Sequence, residues 1–142
     1  MITRREFTGV ASCAICAAAG LVPVETSAQG ATAGAQTPGL KRKFLSHMEG
    51  PMPGYVTIIA EVEIEPGATV PRHTHPGIES GYVVAGGTDL YIQGKGSMSL
   101  KPGDGFQVPP ETPHAGNKNG PVKTVLVSTY VVQKGKPLVS PA

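Results

Sequence analysis

Two histidines and a glutamate in residues 67–86 have types and spacing that suit metal binding. His73 and His75 are two residues apart, and Glu79 follows four residues later. Because the side chains of a β-strand alternate between its faces, both histidines of a strand point the same way. Two imidazoles and a carboxylate on one face form an open site for a divalent metal ion. A pair of hydrogen-bonded structural histidines beside a solvated glutamate is the alternative, which these residues alone leave open.

The elements that position these residues are predicted to be short strands joined by turns. The chain has 142 residues, enough for one domain with a hydrophobic core. It contains 19 glycines and 14 prolines, yet 39% of its residues are hydrophobic, and this mixture favours an all-β domain over a helical one. After the first forty residues we find no helical periodicity and no internal repeat. We therefore predict a small β-barrel or jelly roll.

Residues 55–65 carry the clearest strand pattern. Every second residue from Val56 to Ile64 is apolar, and three glutamates occupy positions between or just after them. This pattern predicts a half-buried strand with its acidic face in water. A turn at Pro66 and Gly67 leads to a second strand, in which the two histidines share one face with Thr69 and Pro71. Arg72 faces away from them and is not assigned to the site.

Composition excludes a nucleic-acid partner. The formal net charge is +2, the basic residues are scattered along the chain, and tryptophan is absent. A protein that binds nucleic acid is expected to present a basic face or aromatic stacking platforms. A small-molecule substrate is therefore the partner we expect.

Residues 1–28 have the layout of a bacterial export signal. Arg4 and Arg5 precede a weakly apolar run, small residues suited to cleavage follow it, and the segment TRREF resembles the twin-arginine consensus. An ordinary secretion signal and an uncleaved anchor are the alternatives. Gly20 and Pro23 interrupt the run, which disfavours a permanent membrane span, and we expect none after cleavage.

The export signal predicts where the mature protein is located and where its folded domain begins. Residues 29–39 are poor in apolar bulk and are expected to form a flexible leader before the folded domain. Both cysteines, Cys13 and Cys16, lie in the export signal, so the mature chain would have no disulfide and no thiolate ligand. The mature protein is expected to be periplasmic or secreted.

The central stretch resembles the first motif of the cupins, a superfamily of jelly-roll β-barrels. The residues that match this motif at every position are Gly67, His73, His75, Glu79 and Gly86. The second cupin motif is matched by Gly103, Pro109 and His114. The chain departs from it at Glu111, where the family usually has glycine, and at Asn117, which comes one residue early. The resemblance covers residues 40–136.

This resemblance implies a single cupin domain over residues 40–136, followed by a C-terminal tail over residues 137–142, and a homodimer. It also implies that one divalent metal ion is held inside the barrel by His73, His75, Glu79 and His114. Three of the four histidines of the chain fall on these positions. The fourth, His47, is expected to be exposed or on an edge strand.

The ligand set suits manganese, iron, nickel or zinc, and the order of affinities would favour copper or zinc. Twin-arginine export carries folded proteins, so the cytoplasm would choose the metal before export. We therefore favour manganese or iron, with zinc, nickel and copper as alternatives.

The resemblance to quercetinase-like cupins implies an O2-dependent oxidoreductase, dioxygenase-like, that acts on a small metal-chelating substrate. The alternatives are a non-redox decarboxylase or isomerase and a non-enzymatic cupin that binds a small ligand or a metal. Glu111, in the loop that delivers His114, is a candidate acid or base, with a solvated turn residue as the other interpretation.

Residues expected to face inward by parity are all apolar: Val83, Ala85, Leu90, Ile92, Phe106 and Val108. No lysine or arginine is assigned to that face. A modest, mostly apolar ligand is therefore expected rather than an anionic sugar nucleotide. Tyr82 and Tyr91 fall on the outward parity and are expected to serve packing or a dimer interface.

Overall fold

The computed structural model describes residues 37–142, apart from the side chains of residues 117 and 118. The predicted export signal lies outside the described residues, as does the leader up to residue 36. The ten strands in the described part are β1 (Leu40–Glu49), β2 (Tyr55–Ile64), β3 (Val70–Thr74), β4 (Gly77–Ala85), β5 (Thr88–Ile92), β6 (Gly96–Leu100), β7 (Gly105–Val108), β8 (His114–Asn119), β9 (Thr124–Gln133) and β10 (Ser140–Pro141). Within this part of the chain, no helix is long and apolar enough to cross a membrane.

The strands form two antiparallel five-stranded sheets, which confirms the predicted all-β jelly roll. One sheet has the order β1-β2-β9-β4-β7, and the other has the order β10-β3-β8-β5-β6. Most neighbours in these sheets are distant in sequence, as β2 and β9 are. Long-range pairing of this kind closes the two sheets around a shared interior.

Strand β2 has the predicted alternation along its whole length. Its residues from Val56 to Ile64 are buried at every second position. The strand lies between β1 and β9, so its backbone groups are paired on both sides while its apolar face lines the interior. Burial of each large aliphatic side chain contributes about 1.5–3 kcal/mol. The alternating pattern therefore determines which face of this sheet points inward.

Apolar side chains fill the interior in two clusters. The first cluster consists of Val62, Ile64, Val83, Leu90, Ile92, Leu100, Val108 and Leu126. The second cluster consists of Val56, Ile58, Ala60, Tyr130, Val132 and Leu138. Four of the six residues expected to face inward by parity are buried, and the other two, Ala85 and Phe106, are half-buried.

Strand β3 is shorter and less regular than predicted, and His75 follows its end. Its pairing with β8 shifts register between Val70 and His73. An irregularity in the ladder changes the phase of the side-chain alternation. As a result Val70 and His73 both line the interior, whereas Thr69 and Pro71, which were expected on the histidine face, are exposed.

Residues 137–142, expected to be a tail, contribute to the second sheet. Ser140 pairs with Thr74, and Pro141 pairs with His73. Leu138 is 4% exposed and belongs to the second core cluster. The end of the chain therefore holds the strand that carries the first histidine.

Candidate metal centre

Three histidines from two strands meet inside the barrel. His73 lies in β3 directly opposite His114, the first residue of β8, and His75 follows β3. One ring nitrogen from each histidine lies within 4.8 Å of the other two, and all three side chains are buried. Pairing between β3 and β8 therefore brings together residues about forty positions apart in the sequence.

Hydrogen bonds to carbonyl groups orient all three imidazole rings. The Nδ1 atom of His73 donates to the carbonyl oxygen of Pro71 at 2.7 Å, and that of His114 donates to Thr112 at 2.9 Å. The Nδ1 atom of His75 donates to Leu138 at 2.6 Å. Because a carbonyl oxygen only accepts, each Nδ1 carries a proton and each neutral ring leaves its Nε2 lone pair free. Metal-ligating histidines commonly have such partners.

Glu79 faces two of the three rings. Its Oε2 atom lies 3.1 Å from Nε2 of His75 and 3.2 Å from Nε2 of His114. Nε2 of His75 is buried, and among the described residues it has no partner aligned as a hydrogen bond. A carboxylate and two unprotonated ring nitrogens are all acceptors, so they repel one another at this distance. A cation between them, either a proton or a metal ion, relieves that repulsion.

The charge states of the cluster suit a divalent cation. Burial, and to a lesser extent the neighbouring His114, lower the pKa of His73 to about 4, so His73 is neutral at physiological pH. Burial alone would raise the pKa of Glu79. When protonated, His114 and His75 donate hydrogen bonds to this carboxylate and carry positive charge, which outweighs burial and keeps that pKa well below its ordinary value; a metal ion in place of those protons would act in the same direction. Glu79 is therefore ionised. Neutral imidazoles and an ionised carboxylate are the forms that bind metal ions.

Tyr130 is a residue of the site that the sequence analysis missed. It lies in β9 opposite Glu79, is 1% exposed, and its ring centroid is 4.9 Å from that of His75. Burial and the charge of Glu79 raise its pKa, and the charge of Arg42 opposes this only in part. Tyr130 therefore remains a neutral phenol. Every second residue of β9 is buried, and Tyr130 is one of them. This alternation is the sequence signal by which Tyr130 could have been assigned to the interior.

Glu111 does not lie in the cluster. Its side chain is 61% exposed, and its carboxylate is 4.0 Å from the amino group of Lys136. Its backbone N–H donates to the carbonyl oxygen of His75, and its φ angle is 52°. A positive φ favours glycine, which is the residue that the resembling family usually has here. The role of this position in the structure is therefore to shape the loop before His114.

His47, the fourth histidine, is exposed on β1, an edge strand, as predicted. Tyr82 is exposed on β4 and faces outward. Tyr91 is half-buried, with the guanidinium carbon of Arg72 5.8 Å from its ring centroid.

A cavity opens beside the histidine cluster. It is a small space of about 50 Å³ that opens to solvent, and His73, Glu79, His114 and Tyr130 line one side. The remaining wall is mostly apolar and includes residues such as Val62, Leu90 and Phe106. A mostly apolar lining with a few polar groups suits a small organic ligand.

Arg42 also lines this cavity, although the sequence analysis assigned no arginine or lysine to the inward face. That assignment was based on residues after the first motif, and Arg42 precedes that motif. Its strand, β1, lacks a clear apolar alternation because most of its residues are exposed. The face of β1 that points inward can therefore be identified only from the pairing of β1 with β2.

The model of the cupin domain family matches residues 60–130, half of the chain. Among curated proteins, none matches the sequence.

Several solved structures have a similar fold. An RmlC-like cupin from Shewanella frigidimarina is 25% identical with a TM-score of 0.57, over 75% of this chain and 94% of that one. KdgF from Halomonas sp. is 26% identical with a TM-score of 0.55, over 68% of this chain and 83% of that one. A protein from Klebsiella pneumoniae with a double-stranded β-helix domain is 17% identical with a TM-score of 0.61, over 75% and 89% of the two chains. That last likeness concerns the fold alone.

Proposed function

This chain belongs to the cupin superfamily, and on that premise we propose that it is a mononuclear metal-dependent oxidoreductase of the dioxygenase type. The proposed ligands are His73, His75, Glu79 and His114, and the proposed substrate is a small organic molecule that chelates the metal. In a dioxygenase both atoms of O2 enter the substrate, so the reaction consumes no external reductant.

One observation carries the metal proposal. Glu79 Oε2 lies 3.1–3.2 Å from two Nε2 atoms whose rings donate through Nδ1 to carbonyl oxygens. Acceptors that converge in a buried space require a cation. Three imidazoles and one carboxylate fit a divalent first-row metal ion. The donor set of the described residues therefore fits the proposed group.

The surrounding residues have separable roles in this proposal. A bound ion of this kind supplies open positions at which a chelating substrate and O2 can meet. The carbonyl groups that accept from the Nδ1 atoms fix the orientation of the rings. The apolar wall of the cavity excludes water from the substrate. Tyr130, a neutral phenol that lines the cavity beside Glu79, would donate a hydrogen bond to an oxygen atom of the substrate.

We further propose that the protein is exported folded by the twin-arginine route with manganese or iron already bound. Protein purified from the periplasm of its own host is then expected to contain about one equivalent of manganese or iron, because the cytoplasm loads the metal before competing ions are met. Elemental analysis of that protein, with N-terminal sequencing to find the cleavage site, measures both points. Stoichiometric zinc or copper would contradict the loading proposal, and an intact residue 1 would contradict cleavage.

The oxidoreductase proposal predicts O2 consumption. Protein loaded with iron or manganese is expected to take up O2 with at least one flavonol, catechol or diketone, and His75→Ala is expected to abolish that uptake because it removes a proposed ligand. An oxygen electrode measures the rate. His47→Ala is the matched control, since His47 is exposed and far from the cluster in sequence, and its rate should equal that of the wild type.

Two other outcomes would point to the alternatives. Tight binding of a chelating ligand without turnover would favour a non-enzymatic binding protein. Turnover without O2 uptake, with release of CO2 or an isomerised product, would favour a decarboxylase or isomerase. If the protein has bound metal in either case, the result would still support the proposed metal site but would refute the dioxygenase reaction.

We also propose a homodimer. The outward face of β4 presents three exposed apolar side chains, Ile78, Tyr82 and Val84. Large apolar side chains grouped on one exposed sheet face are typical of a protein–protein contact. A second copy of this chain is the partner that the proposal assigns to this face.

A further inference from the structure

Arg42 points into the metal cavity from the edge strand β1. It pairs with Val62, a buried residue of β2, and lies on the same side of its strand as Leu40. Both Leu40 and Arg42 line the cavity that contains His73, Glu79 and His114. A second cavity, bordered by Pro71 and Val139, shares Arg42 and His73 with the first. The side chain therefore lies where the two spaces meet.

The guanidinium of Arg42 has no acidic partner among the described residues. No carboxylate of residues 37–142 lies within salt-bridge distance of it, and its buried Nε atom makes no hydrogen bond there. Its neighbours Lys41 and Lys43 lie on the outward side of the strand, opposite Glu63 and Glu61 in the register with β2. A partly desolvated cation without a counter-ion is costly. A ligand that brings a negative charge would remove that cost.

We propose that Arg42 binds a carboxylate of the ligand, and that the ligand of this cavity is therefore a small organic acid. The inference rests on the proposed function and narrows its substrate class. A guanidinium presents parallel N–H groups that match the two oxygens of a carboxylate. One carboxylate of the acid pairs with Arg42, and a second oxygen group of the same molecule reaches the histidine cluster.

The charges of the cavity agree with an acid. A divalent ion together with Arg42 outweighs the single negative charge of Glu79. Ser128 also lines the cavity, and its buried hydroxyl makes no hydrogen bond within the described residues. The cavity has a volume of about 50 Å³ and opens to solvent, so only a very small molecule fits it. A small dianion would balance the charge and satisfy these donors.

The test uses three probes of one shape and different charge: malonate, malonamate and malonamide. They are titrated calorimetrically into zinc-loaded protein, because zinc has no redox chemistry of its own. Wild-type protein is expected to bind malonate most tightly and malonamide most weakly. Arg42→Gln is expected to weaken malonate by about 10-fold or more, because a charge-assisted pair is lost. Arg42→Lys should recover part of the affinity through its charge but not the paired geometry.

Lys43→Gln is the matched control, since it removes one positive charge from the exposed side of the same strand. Its affinity for malonate should equal that of the wild type. Thermal unfolding of each variant checks that it is folded. Equal malonate affinity in Arg42→Gln and the wild type would overturn the inference, as would absence of malonate binding to the wild type.

Failure of the proposed function has a different signature. It would appear as wild-type protein that retains no stoichiometric metal. The same titrations on metal-free protein then still decide the role of Arg42, because an ion pair between a carboxylate and a guanidinium needs no metal. Affinity for malonate that depends on Arg42 supports the inference, and affinity that does not depend on it overturns the inference.

Discussion

His114→Ala is expected to weaken metal binding by about 100-fold or more. Zinc sites with four ligands are worth about 10–16 kcal/mol, so each ligand accounts for roughly 3 kcal/mol. His114 also lies opposite His73 and faces Glu79. Its removal leaves Glu79 with one ring instead of two. The same variant is expected to lose all O2 uptake, because the remaining residues do not complete the proposed ligand set.

Competition with a chromophoric chelator measures this affinity, and inductively coupled plasma analysis gives the stoichiometry. His47→Ala serves as the control, because it removes the one histidine outside the cluster and should leave the affinity unchanged. Circular dichroism of the metal-free proteins separates loss of a ligand from loss of the fold. Unchanged affinity in a folded His114→Ala protein would exclude His114 as a ligand.

Gly77→Ala is expected to lower the free energy of unfolding by about 2–3 kcal/mol. A Cβ atom at this position would lie 2.0 Å from the carbonyl oxygen of Val131 and 2.7 Å from Cα of Val132. Both contacts are with backbone atoms of β9, which no side-chain rotation can relieve. Strands β4 and β9 would have to move apart, and forcing atoms into packed space costs amounts of this size.

The same substitution is expected to weaken metal binding. Gly77 lies between His75 and Glu79 in the sequence. It pairs with Val132, and two residues further along the same two strands Glu79 pairs with Tyr130. A shift of β4 therefore moves the carboxylate relative to the histidines. Urea denaturation with the m-value recorded measures the stability, and the chelator competition measures the affinity.

Gly120→Ala is the control for this prediction. A Cβ atom at Gly120 meets no described atom within 4 Å, and its φ is not in the left-handed region. The variant should remain within about 0.5 kcal/mol of the wild type. Equal stabilities for Gly77→Ala and Gly120→Ala would show that the contact with β9 relaxes without cost.

Local patterns predicted much of the fold. The alternation between Val56 and Ile64 is a repeat of two residues, and such a repeat depends only on how the strand's own side chains alternate. Burial in β2 follows it at every position. β3 did not follow its pattern, because its ladder with β8 shifts register between Val70 and His73. That shift is a property of two strands together, so neither segment shows it alone.

The candidate site divides in the same way. His73, His75 and Glu79 are close in sequence, so their spacing indicated a metal site before any fold was known. Tyr130 and Arg42 were missed because each belongs to the site through a strand partner, Glu79 in one case and Val62 in the other. Glu111, close in sequence to His114, was interpreted either as an acid or base or as a solvated turn residue, and its exposed side chain agrees with the second interpretation.

The sequence by itself determined the strand pattern, the turn chemistry and the residue types available to a metal. These features depend on the chemistry of residues that are neighbours in the sequence, so they can be predicted without knowledge of the rest of the chain. Only the tertiary structure decided which atoms of those residues converge. The Nδ1 atom of His75 is bound by Leu138, which is 63 residues away, and this contact leaves Nε2 to face Glu79. Contacts of that range depend on which strands pair and in which register, and the order of residues along the chain does not contain that information locally.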